Sequence, residues 1–118
     1  MRSLTGSSVK IAVLTAVAAL LISSAPAKAD DAQIFTIVIK DHKFDPSEVH
    51  VPPGKPVILV VKNADDTVEE FVSSALKVQK IIPGGKQGTV KLRPLPVGSY
   101  AFSGKFHSDT ANGSVIAD

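Results

Sequence analysis

The 118-residue chain contains no cysteine. That single absence removes disulfides, thiolate metal ligands, cysteine nucleophiles and dithiol redox pairs. A small domain in an oxidising compartment often relies on disulfides; this one has to hold its fold by packing and hydrogen bonding alone. Long hydrophobic runs are also missing. The most apolar segment, residues 11–22 (IAVLTAVAALLI), has 12 residues, whereas a hydrocarbon core of about 30 Å needs about 20 in a helix. Beyond it no segment carries a 3.6-residue apolar period, and there is no internal repeat and no low-complexity linker. The serines have no adjacent histidine base, which argues against a serine hydrolase. Residues 83–86 (PGGK) lack the spacing and the following helix of a phosphate loop.

The N-terminus does carry the three parts of an export signal. Arg2 and Lys10 supply positive charge, the apolar run follows, and Ala27-Lys28-Ala29 offers small residues where a signal peptidase reads. We therefore expect residues 1–29 to be a signal peptide and residues 30–118 one mature, periplasmic domain without a membrane span. Arg2, Lys10 and Lys28 belong to the signal. The basic pI of the whole chain consequently reverses in the mature part, where ten basic residues face eleven acidic ones. No basic stripe interleaved with aromatics remains, which argues against nucleic acid as a partner. The remaining 89 residues suffice for one hydrophobic core.

The mature part reads as short strands punctuated by proline and glycine. Residues 34–40 (IFTIVIK) are rich in β-branched and aromatic side chains, 41–47 (DHKFDPS) form a polar loop pinned by Phe44, and 48–51 alternate. Residues 57–62 (VILVVK) form a continuous apolar run, as a central strand buried on both faces would. Strand patterns return at 68–74, 76–82, 89–92, 99–103 and 114–117, with a loop at 104–113. About seven strands at this spacing predict an all-β sandwich or barrel. In the 68–74 strand Glu69 and Glu70 point to opposite faces, and Phe71 shares the face of Glu69 if the strand is regular.

The order of motifs is informative. Phe44-Asp45-Pro46 is followed by Val51-Pro52-Pro53-Gly54-Lys55-Pro56-Val57, then Val61-Lys62-Asn63, Glu70-Phe71 and Ile82-Pro83-Gly84-Gly85-Lys86. Leu95-Pro96-Val97-Gly98-Ser99-Tyr100-Ala101-Phe102, His107 and Gly113 complete it. Across residues 34–117 this resembles a cupredoxin, which implies a Greek-key β-sandwich of about seven strands, and more narrowly the stand-alone cupredoxin-like proteins that accompany bacterial iron permeases. Blue-copper members of that fold hold the metal with two histidines, a cysteine thiolate and a weak axial methionine. The resemblance puts the first histidine where Glu69 and Glu70 stand, the cysteine at Gly104 and the methionine at Ala111 or Asn112. Only His107 survives.

The donors that remain are imidazoles and carboxylates. His107, Glu70, Glu69, His42 and Asp109 are the candidate metal ligands; the resemblance favours Glu70 over Glu69, and the residues themselves leave the choice open. Such a set suits Cu(II), Fe or Mn better than Cu(I) and gives no blue centre. Simpler roles compete for each residue. His42 sits in a polar loop, Glu69 and Glu70 can form a solvated charge pair, His107 can cap the loop before the last strand, and Asp109 can start the turn that Asn112-Gly113 completes. His50 has no donor near it in the sequence and reads as a surface histidine.

The resemblance implies a copper- or iron-binding periplasmic protein serving ferrous-iron uptake. Its partners would be an inner-membrane iron permease and other periplasmic iron-uptake components, and oxidation of Fe(II) by a ferroxidase-type activity would suit a carboxylate-containing site. The alternative from another class is a metal-free β-sandwich acting as an interaction or structural module of the cell envelope.

Overall fold

The computed structural model describes residues 32–118. The signal-peptide reading of residues 1–29 lies outside them. Nine strands occur in the described residues: β1 Gln33–Lys40, β2 Lys43–Asp45, β3 Glu48–Val51, β4 Val57–Asn63, β5 Glu69–Ser73, β6 Val78–Ile82, β7 Gln87–Leu92, β8 Gly98–Gly104 and β9 Asn112–Ala117. One 3₁₀ turn, Lys105–His107, separates β8 from β9. Among the described residues no helix is long and apolar enough to cross a membrane.

The strands form two sheets, ordered β2-β1-β4-β7 and β3-β9-β8-β5-β6. The chain passes repeatedly from one sheet to the other, so β1 pairs in parallel with β4, and β3 with β9, while the remaining pairs are antiparallel. This is a two-sheet sandwich, one of the two architectures that the spacing of short strands predicts. The alternation of β-branched residues explains the layering. Ile37 and Ile39 of β1, with Val57, Leu59 and Val61 of β4, turn inward and are buried against Phe71, Ile82, Phe102 and Val115 of the other sheet. β4 is central, as expected, but only one of its faces is fully buried: Ile58 and Val60 are half-covered and Lys62 is exposed.

Two loop expectations are overturned. Residues 41–45 of the expected 41–47 loop are a hairpin tip and a strand, because Lys40 pairs with Lys43 and Phe44 with Ile39 across a two-residue turn. Asp41 and His42 both take left-handed backbone angles there, φ 54° and 58°, as a two-residue hairpin requires. Asn112 and Gly113 do not close a turn but already belong to β9, opposite Ser103 and Phe102.

Buried Asn63, at the end of β4, organises the loop that leads into β5. Its side-chain amide donates to the carbonyls of Thr67 (2.8 Å) and Ile82 (3.0 Å), and its Oδ1 accepts from the Asp65 amide (3.0 Å). Asn63→Ala leaves those groups without their partner in a dry setting and is expected to lower stability by about 1–2 kcal/mol, measured by urea unfolding.

Candidate metal centre

The loops at one end of the sandwich bring His42, Glu69 and His107 together from three distant parts of the chain. His42 occupies the β1–β2 turn, where its left-handed backbone points successive amides toward one acceptor. Asp65 supplies it: Oδ1 accepts from the Asp41 amide (2.8 Å) and Oδ2 from the His42 amide (2.9 Å). Burial pushes the Asp65 carboxyl up, but the His42 and Asp41 amides and the nearby His42 and Lys40 charges outweigh it. The net effect holds Asp65 below its ordinary value. The His42 carbonyl accepts from the Thr110 hydroxyl (2.6 Å), and its Nε2 lies 3.4 Å from the Thr67 hydroxyl. A histidine tied at its amide, its carbonyl and its ring is a placed residue, not a solvated one.

The ring of His42 stacks on that of His107, with centroids 3.6 Å apart and planes within 10°. His107 ends the 3₁₀ turn, and its carbonyl accepts from the amides of Thr110 (3.1 Å) and Ala111 (2.8 Å), which closes the loop into β9. Its Nδ1 stands 2.6 Å from Glu69 Oε2. Glu69 is 1% exposed and shares the inward face of β5 with Phe71 and Ser73, as strand alternation predicts. The other Glu69 oxygen, Oε1, accepts from the amides of Glu70 (3.0 Å) and Phe106 (2.8 Å).

The remaining candidates lie elsewhere. Glu70 faces the opposite side of β5, with Oε1 4.0 Å from Lys105 Nζ. Asp109 is exposed in the turn after His107. His50 is exposed, as expected, yet it is not without polar neighbours: its Nδ1 lies 3.1 Å from Asp118 and its Nε2 3.4 Å from Glu48. The hydrogen bond and charge of Asp118, with smaller help from Glu48, raise its pKa against slight desolvation. Asp65, Thr67 and Thr110, which position His42, were not among the expected site residues. The only trace of them in the sequence is a set of turn-forming polar residues, and their partners are 23 to 68 positions away.

These residues do not fit a blue-copper centre. No thiolate exists, and at Gly104 any side chain would meet Glu69, since a Cβ there would stand 2.6 Å from Glu69 Cδ. Among the described residues no group of three or more His, Asp or Glu side chains is gathered to hold a metal ion. What the end of the sandwich does offer is a pair of stacked imidazoles, one of them hydrogen-bonded to a buried carboxylate.

Comparison with known proteins agrees with the architecture. A family profile described as cupredoxin-like domain matches residues 13–117. An uncharacterized protein of Rickettsia prowazekii is 42% identical over 97 residues, covering 81% of this chain and 78% of that protein. Among solved structures, the blue copper protein auracyanin A of Chloroflexus aurantiacus superposes with a TM-score of 0.65 at 15% identity, over 75% of this chain and 100% of its own. The metal-binding domain of the Cu(I)-exporting P-type ATPase of Streptococcus pneumoniae D39, solved with Cu(I), gives 0.67 at 15% identity, over 78% and 91%. At such identities the structural likeness concerns the fold. With nearly the whole sandwich inside the matched span, this chain belongs to the cupredoxin-like domain family.

Proposed function

We propose that this chain is an exported metal-binding protein that takes up a copper or iron ion at the His42–His107 pair and hands it on. The observation that carries the reading is the pair itself: two imidazoles in ring contact, held by hydrogen bonds from Asp65, Thr110 and Glu69. Ordering two side chains and their backbones this closely opposes conformational entropy, and a purely structural sandwich has no need of it. His107 would supply one nitrogen ligand, and His42 a second once its ring turns out of the stack, because the in-plane lone pairs of parallel rings do not converge on one ion. The remaining positions are left to water or to a donor from the recipient, which suits transfer of an ion better than its permanent retention. Without a thiolate the site has no soft ligand to favour Cu(I) or to support fast electron transfer. Iron uptake, with an inner-membrane permease as the recipient, is supported by the resemblance in motif order across residues 34–117.

Calorimetric titration with Cu(II) tests the reading. The wild-type protein is expected to bind one equivalent without an intense visible charge-transfer band. His107→Ala should weaken binding by more than about 100-fold, because loss of a ligand exceeds the 10- to 100-fold effect of losing a ligand's supporting partner. His42→Ala should weaken it by at least about 10-fold, and His50→Ala should leave it unchanged. Affinity should fall with decreasing pH, since imidazole binds a metal only when deprotonated. A second reading, the metal-free envelope module, is favoured by the absence of a three-donor group among the described residues. It prevails if His107→Ala binds Cu(II) as tightly as wild type.

A further inference from the structure

Glu69 is the one fully buried carboxylate among the described residues, and its hydrogen bonds are divided between its two oxygens. Oε1 takes two main-chain amides, Glu70 at 3.0 Å and Phe106 at 2.8 Å. Both donors are fixed, one by β5 itself and one by the 3₁₀ turn, so the carboxylate is oriented before His107 is considered. Oε2 then faces a single polar partner, His107 Nδ1, at 2.6 Å. An ionised carboxylate can only accept, so this contact places the ring hydrogen on Nδ1. The lone pair is left on Nε2, which has no hydrogen-bond partner among the described residues.

The space that admits the carboxylate comes from β8. Gly104 lies opposite Phe71 in the β5–β8 register. A Cβ at position 104 would stand 2.6 Å from Glu69 Cδ, 2.7 Å from Oε2 and 2.9 Å from Ala111 Cβ. Real Cβ atoms do not approach neighbours so closely, and Glu69 cannot give way without losing its amide donors. A missing side chain on one strand and a buried carboxylate on the next therefore fill one volume.

We propose that Glu69, seated in the space left by Gly104, is a positioning residue that fixes His107 as the Nδ1–H tautomer and presents Nε2 as the metal-binding nitrogen. This deepens the metal-binding reading and rests on it only for the second half of the claim. A carboxylate behind an imidazole makes the ring a more basic ligand, and the added negative charge favours the more highly charged ion. The site should accordingly prefer Cu(II) to Cu(I).

Nitrogen-15 NMR of the imidazoles separates the two halves. In the metal-free protein at about pH 8, above the ordinary histidine pKa of about 6.5, His107 is expected as the Nδ1–H tautomer. Glu69→Gln keeps the shape, but its amide oxygen stays on the two main-chain donors and its NH2 then faces Nδ1 as a donor, so His107 should shift toward the Nε2–H tautomer. A wild-type His107 protonated at Nε2 would overturn the positioning role whatever the protein does with metals. Zn(II), a diamagnetic probe, should then shift the Nε2 resonance, and Glu69→Gln should weaken Zn(II) binding by about 10- to 100-fold. A Zn(II)-bound Nδ1 would make Glu69 a ligand and overturn the proposal. Failure of Zn(II) and Cu(II) to bind at all would refute the metal reading and its Nε2 clause while leaving the tautomer result to stand by itself. Gly104→Ala should melt well below wild type and regain part of the loss when combined with Glu69→Ala; equal melting of the two variants would show that the two residues do not share a volume.

Discussion

Phe71→Ala is expected to destabilise the protein by about 3–5 kcal/mol, the range for removing a large aromatic side chain from a closed core. Phe71 is 0% exposed and lies at the centre of an aromatic triad. Its ring meets that of Phe44 edge-on at 5.8 Å and that of Phe102 at 4.9 Å, and Phe44 and Phe102 meet each other at 5.1 Å. Each such pair adds about 0.5–1.5 kcal/mol beyond area burial. The three rings come from β2, β5 and β8, so the cavity left by alanine would be bordered by both sheets and could not collapse without moving one of them. Circular dichroism across a urea gradient measures the effect, and a loss below about 1 kcal/mol would show that the triad contributes little to packing. Phe71 shares its face of β5 with Glu69, so the variant should also weaken Cu(II) binding by loosening the strand beneath the site.

Gly84→Ala should have the next largest effect, about 2–3 kcal/mol. A Cβ at this position would stand 2.2 Å from the Asp66 carbonyl oxygen and 3.0 Å from that of Asp65. Main-chain atoms cannot rotate aside as a side chain can, so the whole 63–67 loop has to move. That loop is also held by the Gly85 amide, which donates to Asn63 O at 2.9 Å and to Asp65 O at 3.0 Å. Displacing it withdraws Asp65 from the amides of Asp41 and His42. The variant is therefore expected to melt about 10–20 °C lower, given about 4–8 °C per kcal/mol in a domain of this size, and to bind Cu(II) more weakly although no donor has been changed. Unaltered Cu(II) affinity in a folded Gly84→Ala protein would show that the Asp65 contact does not position His42.

The strands were legible because β-branched residues follow the period of a pleated sheet. Glu69 and Phe71 share a face for the same reason, but alternation alone left the choice between the two glutamates open, and the family resemblance pointed to Glu70, whereas Glu69 is the buried one. The β1–β2 hairpin was not legible. Asp41 and His42 adopt the left-handed angles that asparagine and glycine usually supply, and their amides are satisfied by Asp65 from another loop. Turn chemistry completed from 24 residues away leaves no mark in the local sequence. The Asp118 partner of His50 was hidden in the same manner, being 68 residues distant, whereas Glu48 lies two positions away on the same strand. His107 stood out as a histidine in a loop at a recognisable place. Thr110, which holds His42 through a single hydroxyl, resembled any other turn residue.

The wide sequence separation of these contacts has a consequence for the order of events in the life of the protein. His107 is 38 positions from Glu69, and Thr110 is 68 from the His42 carbonyl it secures. Nothing in an unfolded chain brings such groups together, unlike a zinc finger, whose ligands sit close in sequence and gather the ion first. The imidazole pair comes into being only after both sheets have closed and the three loops have docked. A chain threaded unfolded across a membrane would therefore cross it empty, and loading with metal would follow folding, not guide it.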